Sequence, residues 1–324
     1  MAAITPLTEN DLEALLSRYS LRGLQRFWPA SNGIENSNYF VRLAGEEGGR
    51  ELVLTLLEHP GHAGDLLVPL LDLCDAAGLP VARVIRNSAG NANDEINGKP
   101  TILSPRLAGQ HVINPTLQQC ESVGQFLARF HIAAAEPLTA TAAEYPRDAG
   151  WLAQTASTVH AELRFADAQL LDAALTTVTS LLNRSDAASL PRGIIHGDLF
   201  RDNVLFTAQG LSGVLDFHHA ATGSWVYDVA VAANDWCSVG DGALDGERVM
   251  SLLRSYHSVR PLKLPELWFF PVFALYAALA FWLSRLDGQR TAGEHGRTKN
   301  PDEFRRIVQA HMNKFFYLDP RLLH

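Results

Sequence analysis

The sequence has few cysteines, no run of lysine and arginine, and no basic leader. Cys74, Cys120 and Cys237 are scattered and form no Cys-x-x-Cys pair, which argues against both a disulfide framework and a zinc site. We expect buried thiols in a reducing compartment. The formal net charge of −8 gives no support for nucleic acid or an anionic membrane as a partner, and the acidic N-terminus lacks a signal-peptide pattern. We expect a cytoplasmic protein that binds a small molecule.

Several sequence motifs of nucleotide-binding and hydrolytic enzymes are also missing. The one Gly-Lys pair, Gly98-Lys99, has no upstream glycine in G-x-x-x-x-G-K-[ST] spacing, which excludes a P-loop enzyme. H-E-x-x-H, G-x-S-x-G and G-x-G-x-x-G do not occur. The histidine pairs at 59/62 and 218/219 have no convincing third ligand, so we interpret them as non-ligands.

One apolar segment is nearly long enough to cross a membrane. Residues 267–284 contain 18 residues without a charge, close to the length of a membrane span. Glu266 and Arg285 flank the segment closely, and Pro271 should interrupt it early. No polybasic flank sets an orientation. We predict a buried core helix and no membrane association.

The periodicity of apolar residues divides the chain into two parts. A chain of 324 residues with 47% hydrophobic content is long enough for two packed lobes around a cleft. The fold class we predict is α+β, with an antiparallel sheet and helices in a small lobe, 1–105, and a mainly helical large lobe, 106–324. The predicted small-lobe elements are helices at 8–19 and 65–77 and strands at 38–43, 52–57, 80–85 and 100–104. The predicted large-lobe helices are at 114–135, 151–159, 161–182, 226–237, 244–259, 264–286 and 302–316.

Polar residues stand at the ends of short apolar strands in the segment 194–217. His196, Asp198 and Asn203 have H-x-D-x-x-x-x-N spacing, and a Val-Leu-Asp-Phe strand then delivers Asp216. Phosphoryl transfer from a nucleotide needs a carboxylate that orients a hydroxyl nucleophile, plus a carboxylate and an amide that hold magnesium. Asp198 would be the base, Asn203 and Asp216 the metal ligands, and His196 a structural support of the loop. Asp and Asn are also common in ordinary turns. If either the H-x-D-x-x-x-x-N segment or the Val-Leu-Asp-Phe strand stood alone, ordinary turns would be the alternative interpretation.

A polar loop in the small lobe fits the same interpretation. Residues 32–38 are rich in Asn, Gly and Ser, which turn tightly and present donors, and in a kinase this loop would cover the nucleotide phosphates. The third strand departs from the protein-kinase pattern, because Thr55 stands where those kinases have a lysine. Either another cation or the loop amides take over the role of that lysine, or the protein is a non-catalytic relative.

These segments together resemble the bacterial homoserine kinases of the aminoglycoside phosphotransferase-like, protein-kinase-like fold. The resemblance covers nearly the whole chain, and Thr55 is typical of that family. It implies ATP and Mg²⁺ as cofactors and L-homoserine as the substrate, phosphorylated on its hydroxyl to O-phospho-L-homoserine in threonine biosynthesis. It implies a monomer or homodimer. The segments that carry it are GIENSNYF (33–40), LVLTLLE (52–58), HGDLFRDNVLF (196–206), GVLDF (213–217), YDVAVAANDWC (227–237) and KNPDEFRRI (299–307).

The resemblance also implies roles for further residues. Asp228 would brace the catalytic loop, and the nucleotide phosphates would lie against Gly33, Asn36, Ser37, Asn38 and Thr55. Homoserine bears an ammonium and a carboxylate, so Asn234 and Asp235 are candidates for its pocket; a polar helix end that faces solvent or packs locally is an equal alternative. Choline, methylthioribose or an aminoglycoside remains open as the acceptor, and so does a nucleotide-binding regulator without catalysis.

Overall fold

The computed structural model describes residues 4–30, 36–45, 49–58, 63–135, 138–139, 142–291, 299–317, 319 and 321. The chain begins with helix α1 (Glu9–Arg18), whose N-cap is Thr8. Thr8 Oγ1 accepts from the Asp11 amide at 3.2 Å and the Asp11 carboxylate accepts from the Thr8 amide at 2.9 Å. This capping box starts the helix, and an apolar face of α1 is buried against the sheet.

An antiparallel sheet follows, with strand order β1-β2-β3-β5-β4 in the described residues. Side chains alternate between its faces. On the α1 face, buried leucines and aromatic residues form a small core with α1. On the other face, Thr55 pairs with Ile102 in the β3–β5 register, and Ile102 belongs to the core of the helical part. The strands are β1 (Leu24–Pro29), β2 (Ser37–Leu43), β3 (Arg50–Leu56), β4 (Asn93–Ile96) and β5 (Lys99–Pro105).

The strand predicted at 80–85 is wrong. Pro80 has no amide hydrogen to give to a ladder, and the segment makes only isolated contacts, including a bridge from Val81 to Val214 and a bond from the Ile85 amide to Leu103 O at 2.8 Å. The edge strand of the sheet is instead β4, which the sequence analysis did not predict.

Helices dominate the chain after β5. The helix predicted at 161–182 is shorter than expected and begins at Phe165 after a 3₁₀ turn. The helices are α2 (Ala63–Ala76), before β4, and then α3 (Leu117–Ala133), α4 (Ala149–Val159), α5 (Phe165–Leu182), α6 (Trp225–Trp236), α7 (Gly246–Val259), α8 (Leu264–Thr291) and α9 (Asp302–Asn313).

The apolar helix α8 lies at the centre of the large core. It is long and apolar enough to cross a membrane, but 89% of its most apolar window is buried inside the protein. Pro271 lies within its first turns and does not end it. The partners of α8 include α4, α5, α6 and α9. Protein neighbours therefore bury the apolar surface on all sides of this helix.

Two short ladders position the segment that bears the motif. Strand β6 (Arg192–Ile195) pairs with β9 (Ala221–Ser224), and β7 (Val204–Thr207) pairs with β8 (Gly210–Val214). The Leu215 amide donates to Asn203 O at 2.8 Å. The loop after β6 and the loop after β8 are therefore held side by side.

Candidate active site

Asp198 lies in the loop between β6 and β7 and is 9% exposed. Asn203 Nδ2 donates to the Asp198 carbonyl at 2.8 Å and to its carboxylate Oδ2 at 3.0 Å. Burial raises the pKa of the Asp198 carboxyl to about 7, and the nearby Asp216 adds to this, whereas His219 opposes it. A carboxyl group with such a pKa is suited to take a proton from a hydroxyl near neutral pH.

His196 is fully buried and holds the loop from inside. Its Nε2 lies 3.0 Å from Leu215 O, so we place the ring proton there, and Nδ1 then accepts from the Asp198 amide at 3.3 Å. Burial lowers the pKa of His196, which favours this neutral form. The histidine thus links the loop of Asp198 to the end of β8, in keeping with a supporting position.

Asp228, in the first turn of α6, accepts from the same loop. Its two carboxylate oxygens accept from the His196 and Gly197 amides, each at 2.8 Å. His131 of α3 donates from Nε2 to Asp228 Oδ2 at 2.9 Å, and its Nδ1 lies 2.7 Å from the Tyr256 hydroxyl. Burial alone would raise the pKa of Asp228, but the bond from His131 and the loop amides keep it below its usual value. A buried anion therefore fixes the backbone next to Asp198.

Asn203 and Asp216 lie on the two strand ends that the β7–β8 ladder brings together. The Asn203 Nδ2 group is used on Asp198, which leaves its Oδ1 as the acceptor atom. Asp216 has left-handed backbone angles, φ 62° and ψ 61°, which asparagine and aspartate tolerate better than most residues. Amide and carboxylate oxygens are what a hard divalent cation prefers. Within the described residues no cluster of three His, Cys, Asp or Glu side chains is present, so such a cation would need further ligands from a nucleotide.

The sheet face toward the helical part bears two of the residues predicted to line the phosphates. Asn38 and Thr55 are register partners, and Thr55 Oγ1 donates to Asn38 Oδ1 at 2.6 Å. Ser37 is 1% exposed and points to the opposite, α1 face. The Ser37 side chain therefore does not share the face of Asn38 and Thr55 on which the phosphates were predicted to lie. Gly33 lies outside the described residues.

A buried ion pair anchors the start of β2. The Glu58 carboxylate, 2% exposed, accepts from Lys99 Nζ and Ser37 Oγ, and from Thr5 Oγ1 at 3.0 Å. The Glu58 amide donates to Asn36 Oδ1 at 3.1 Å. Burial alone would raise the pKa of Glu58, but the bond from Lys99 and those from the two hydroxyls hold it low. Because Lys99 serves this pair on the α1 face, it does not take the place of the missing lysine at Thr55.

The two residues considered for the substrate pocket make contacts inside the protein. Asn234 is 1% exposed, its Nδ2 donates to Ala274 O at 2.7 Å, and its Oδ1 lies 2.9 Å from His311 Nε2. Asp235 accepts from the Arg201 amide at 2.7 Å and from Arg201 Nε at 3.0 Å. Asn234 thus joins α6 to α8 and α9, and Asp235 holds the catalytic loop. Of the two alternatives for these residues, the contacts favour local packing over the substrate.

His131, Glu58 and Arg201 support the site and were not singled out from the sequence. His131 has a weak signal, since it is a single histidine beside the apolar face of a predicted helix and a buried polar group there needs a partner. Glu58 ends an apolar strand, and Arg201 lies inside the loop motif. Their partners are distant in sequence, by 97 residues for the His131–Asp228 bond, so no local pattern identifies them.

The fold has close counterparts among solved structures. A spectinomycin phosphotransferase, solved with ADP and spectinomycin, has a TM-score of 0.70 at 12% identity over 95% of this chain and 98% of its own. An aminoglycoside phosphotransferase from Alicyclobacillus acidocaldarius has a TM-score of 0.69 at 16% identity over 95% and 92%. At such identities the likeness shows the fold, a kinase-like phosphotransferase fold, which confirms the predicted class.

Sequence similarity is more specific. Residues 27–313 match the model of the phosphotransferase enzyme family, and the chain belongs to this family. A homoserine kinase of Pseudomonas aeruginosa (strain UCBPP-PA14) is 38% identical over 98% of this chain and 99% of its own length. Homoserine kinases of Methylobacillus flagellatus and Ralstonia nicotianae are 38% and 33% identical, covering 95% and 88% of this chain and 95% and 87% of their own lengths.

Proposed function

We propose that this protein is an ATP-dependent homoserine kinase that forms O-phospho-L-homoserine in threonine biosynthesis. The observation that carries the proposal is the near-full-length identity of 38% to relatives named homoserine kinase. The site supports the same reaction class, because a buried carboxylate with a raised pKa lies beside an amide and a second carboxylate. The sequence similarity and the chemistry of the site therefore support the same reaction.

Asp198 would accept or orient the proton of the homoserine hydroxyl as the oxygen attacks the γ-phosphorus of ATP. Asn203 holds the Asp198 carboxylate through Nδ2, so the base is positioned before the substrate arrives. His196 and Asp228 fix the surrounding backbone. The contribution of these groups is positioning and a proton acceptor of suitable pKa.

Asn203 Oδ1 and the Asp216 carboxylate would hold the divalent cation, which we take to be Mg²⁺. Their oxygen donors fit a hard cation, and two protein ligands plus phosphate oxygens are the usual arrangement for magnesium at a nucleotide. Bound there, Mg²⁺ supplies neutralisation of charge on the phosphates. An amicoumacin kinase of the same fold has been solved with AMP-PNP and Ca²⁺.

The nucleotide would lie between the sheet and the catalytic loop, in contact with the face of Asn38 and Thr55. In this proposal 1–105 is the nucleotide-binding lobe and 106–324 bears the catalytic loop and the acceptor site. The protein acts in the cytoplasm as a monomer or homodimer on a small molecule. The net charge of −8 offers no attraction for nucleic acid.

The test is ADP release by the purified protein with Mg-ATP across homoserine, serine, threonine, choline, methylthioribose and kanamycin. We expect homoserine to be preferred, with a kcat/KM of at least about 10⁴ M⁻¹s⁻¹, and Asp198→Ala to bind ATP without turnover. Preference for another alcohol would keep the mechanism and refute the substrate. ATP binding without turnover on any acceptor would indicate a non-catalytic relative.

A further inference from the structure

The backbone that leads to Asp198 turns at a glycine in a left-handed conformation. Gly197 is buried and has a φ of 75°, a region that glycine enters without steric cost. Glycine also gives the backbone more freedom than any other residue, and Asp198 follows it directly. A carboxylate that must lie within hydrogen-bond reach of a hydroxyl therefore depends on the contacts that hold this turn.

Hydrogen bonds hold the amides of the turn. The Gly197 amide donates to Asp228 Oδ1 at 2.8 Å, and the Asp198 amide donates to His196 Nδ1 at 3.3 Å. Both bonds are made by N–H groups. They fix one edge of the Gly197–Asp198 peptide and leave the Cα of Gly197 to be restrained by packing.

The ring of Tyr145 supplies such packing. A Cβ built on Gly197 would lie 3.0 Å from Tyr145 Cε2 and 3.2 Å from His219 O. Both distances are shorter than ordinary van der Waals contacts of a side chain, so the ring and the carbonyl lie directly against the Gly197 backbone. In a closely packed interior such neighbours resist a displacement of the turn.

The Tyr145 ring is itself fixed by α6. The hydroxyls of Tyr145 and Tyr227 share a hydrogen bond at 3.1 Å, and their ring centroids are 5.0 Å apart. Tyr227 is 2% exposed and directly precedes Asp228 in the first turn of α6. The ring that packs on Gly197 and the carboxylate that accepts from its amide are therefore held by the same helix start.

Main-chain bonds place Tyr145 beside the turn. The Tyr145 amide donates to Thr222 O at 2.9 Å, and the Thr222 amide donates to Ala143 O at 2.8 Å. Thr222 belongs to β9 and is the register partner of Ile194 in β6, the strand that leads into the turn at Gly197. Because these bonds use backbone atoms only, they survive a change of the Tyr145 side chain.

Resting on the proposed function, we propose that Tyr145 is a positioning residue for phosphoryl transfer, whose ring holds the Gly197–Asp198 peptide so that the Asp198 carboxylate meets the acceptor hydroxyl. Tyr145 acts through Gly197 by packing, whereas Asp228 and His196 act through the amides. A loosened turn would misplace the base, and misplacement of a reacting group lowers the rate without weakening the binding of either substrate.

Steady-state kinetics with Mg-ATP and homoserine compare variants of Tyr145. Tyr145→Ala removes the ring, and we expect kcat to fall about tenfold or more while the KM values for ATP and homoserine change less than about threefold. Tyr145→Phe keeps the ring against Gly197 and loses only the hydroxyl bond to Tyr227, so kcat should stay within about threefold of wild type. Tyr145→Leu keeps apolar bulk in this partly buried position without the flat ring, and should show the same fall in kcat as alanine if alanine destabilises the fold.

Hydrogen exchange of the full chain measures the turn without turnover. The amides of residues 196–198 should exchange about tenfold faster or more in Tyr145→Ala than in wild type, because local opening of the loop becomes easier. Val178→Ala is the matched control for a general loss of packing, since Val178 is fully buried in α5. This control should leave kcat and the exchange of residues 196–198 unchanged.

An unchanged kcat in both Tyr145→Ala and Tyr145→Leu, or unchanged exchange of residues 196–198 in Tyr145→Ala, would overturn the proposal. A Tyr145→Phe variant as slow as Tyr145→Ala would overturn it too, since the effect would then belong to the hydroxyl and not to the ring. Wild-type protein that does not phosphorylate homoserine would refute the proposed function instead, and the exchange comparison would still decide whether Tyr145 holds the turn.

Discussion

At the scale of single residues, the proposed role of Asp198 as the base, together with its raised pKa, predicts the pH dependence of the reaction. The base must be deprotonated, and burial raises its pKa to about 7 in the free protein. We expect kcat/KM to rise with pH and level off above about pH 7, since the pH dependence of kcat/KM reports the free enzyme. Initial rates in buffers of constant ionic strength between pH 5.5 and 9 measure this. A profile flat down to pH 5.5 would contradict it.

The same burial should make Asp198 a source of instability. The pKa rises from 3.8 to about 7 on folding, so folding favours the protonated form and stability falls as pH rises between these values. Above pH 7 the ionised Asp198 carboxylate lowers the free energy of unfolding by its full contribution, at most roughly 4 kcal/mol. We expect Asp198→Asn to abolish turnover and to raise the free energy of unfolding at pH 8.

Urea unfolding at pH 8 and at pH 5 checks this expectation. The advantage of Asp198→Asn over wild type should be a few kcal/mol at most at pH 8 and smaller at pH 5. Asp216→Asn, the other carboxylate of the site, is a control for general loss of negative charge. An asparagine variant that is less stable than wild type at pH 8 would show that the aspartate is well accommodated as an anion.

At the scale of secondary-structure elements, Asp228 ties α6 to the loop after β6 and, through His131, to α3. Asp228→Asn replaces one acceptor oxygen with a donor that faces an amide or the His131 proton. We expect a loss of about 2–4 kcal/mol in the free energy of unfolding, because one buried partner is left unpaired, and a fall in kcat of at least about tenfold. Thermal unfolding and steady-state kinetics measure the two effects.

Asp172→Asn serves as the control for that substitution. Asp172 also contacts a histidine, His160, at 3.2 Å, but both side chains are exposed by 45% or more. Loss of the Asp172–His160 contact should lower the free energy of unfolding by less than about 1 kcal/mol and leave kcat unchanged. Equal effects of Asp228→Asn and Asp172→Asn would mean that burial of the Asp228–His131 pair does not increase its contribution to stability or to kcat.

The pair of Glu58 and Lys99 ties the end of β3 to the starts of β2 and β5. Glu58 also accepts from Ser37, the residue that opens β2 and lies near the end of the segment predicted to cover the phosphates. We expect Glu58→Gln to raise the KM for ATP by about tenfold, because a weakened anchor costs about 1–2 kcal/mol, with little change for the acceptor. Asp94→Asn, which breaks an ion pair with Arg18 at the far edge of the sheet, should leave both KM values unchanged.

At the scale of the whole molecule, α8 decides between a membrane protein and a protein with a large core. Because 89% of its apolar window is buried, we expect the full chain to remain in the supernatant after ultracentrifugation without detergent. Leu264 and Trp268, one turn apart on α8, are 53% and 69% exposed, and a small exposed apolar area of this kind is common on protein surfaces. Recovery only with detergent would contradict the packing of α8 described above.

Replacing a buried α8 residue tests that packing directly. Phe273 is 3% exposed and lies against Phe269 and Tyr276. Phe273→Ala should cost about 3–5 kcal/mol of unfolding free energy, measured in urea. If α8 faced lipid instead of the protein core, the same substitution would lower the free energy of unfolding in urea much less.

The features whose residues are neighbours along the chain could be predicted from the sequence. Asp198, Asn203 and Asp216 fall within one hairpin segment, so their spacing alone indicated a common site. Alternation predicted β2 and β3, apolar periodicity predicted α1, and the length of the apolar run indicated the core helix. Local sequence suffices here because hydrogen bonds and periodicity act over a few residues.

The features whose partners are far apart in the chain could be identified only in the folded protein. The sequence left a substrate pocket and a polar helix end as equal alternatives for Asn234 and Asp235, whose contacts in the structure are Ala274, His311 and Arg201. The Lys99–Glu58 pair spans 41 residues and the His131–Asp228 pair spans 97. Which charge meets which buried partner depends on how the two cores pack, and the free energy of that packing is summed over the whole chain, so no short segment of sequence specifies it.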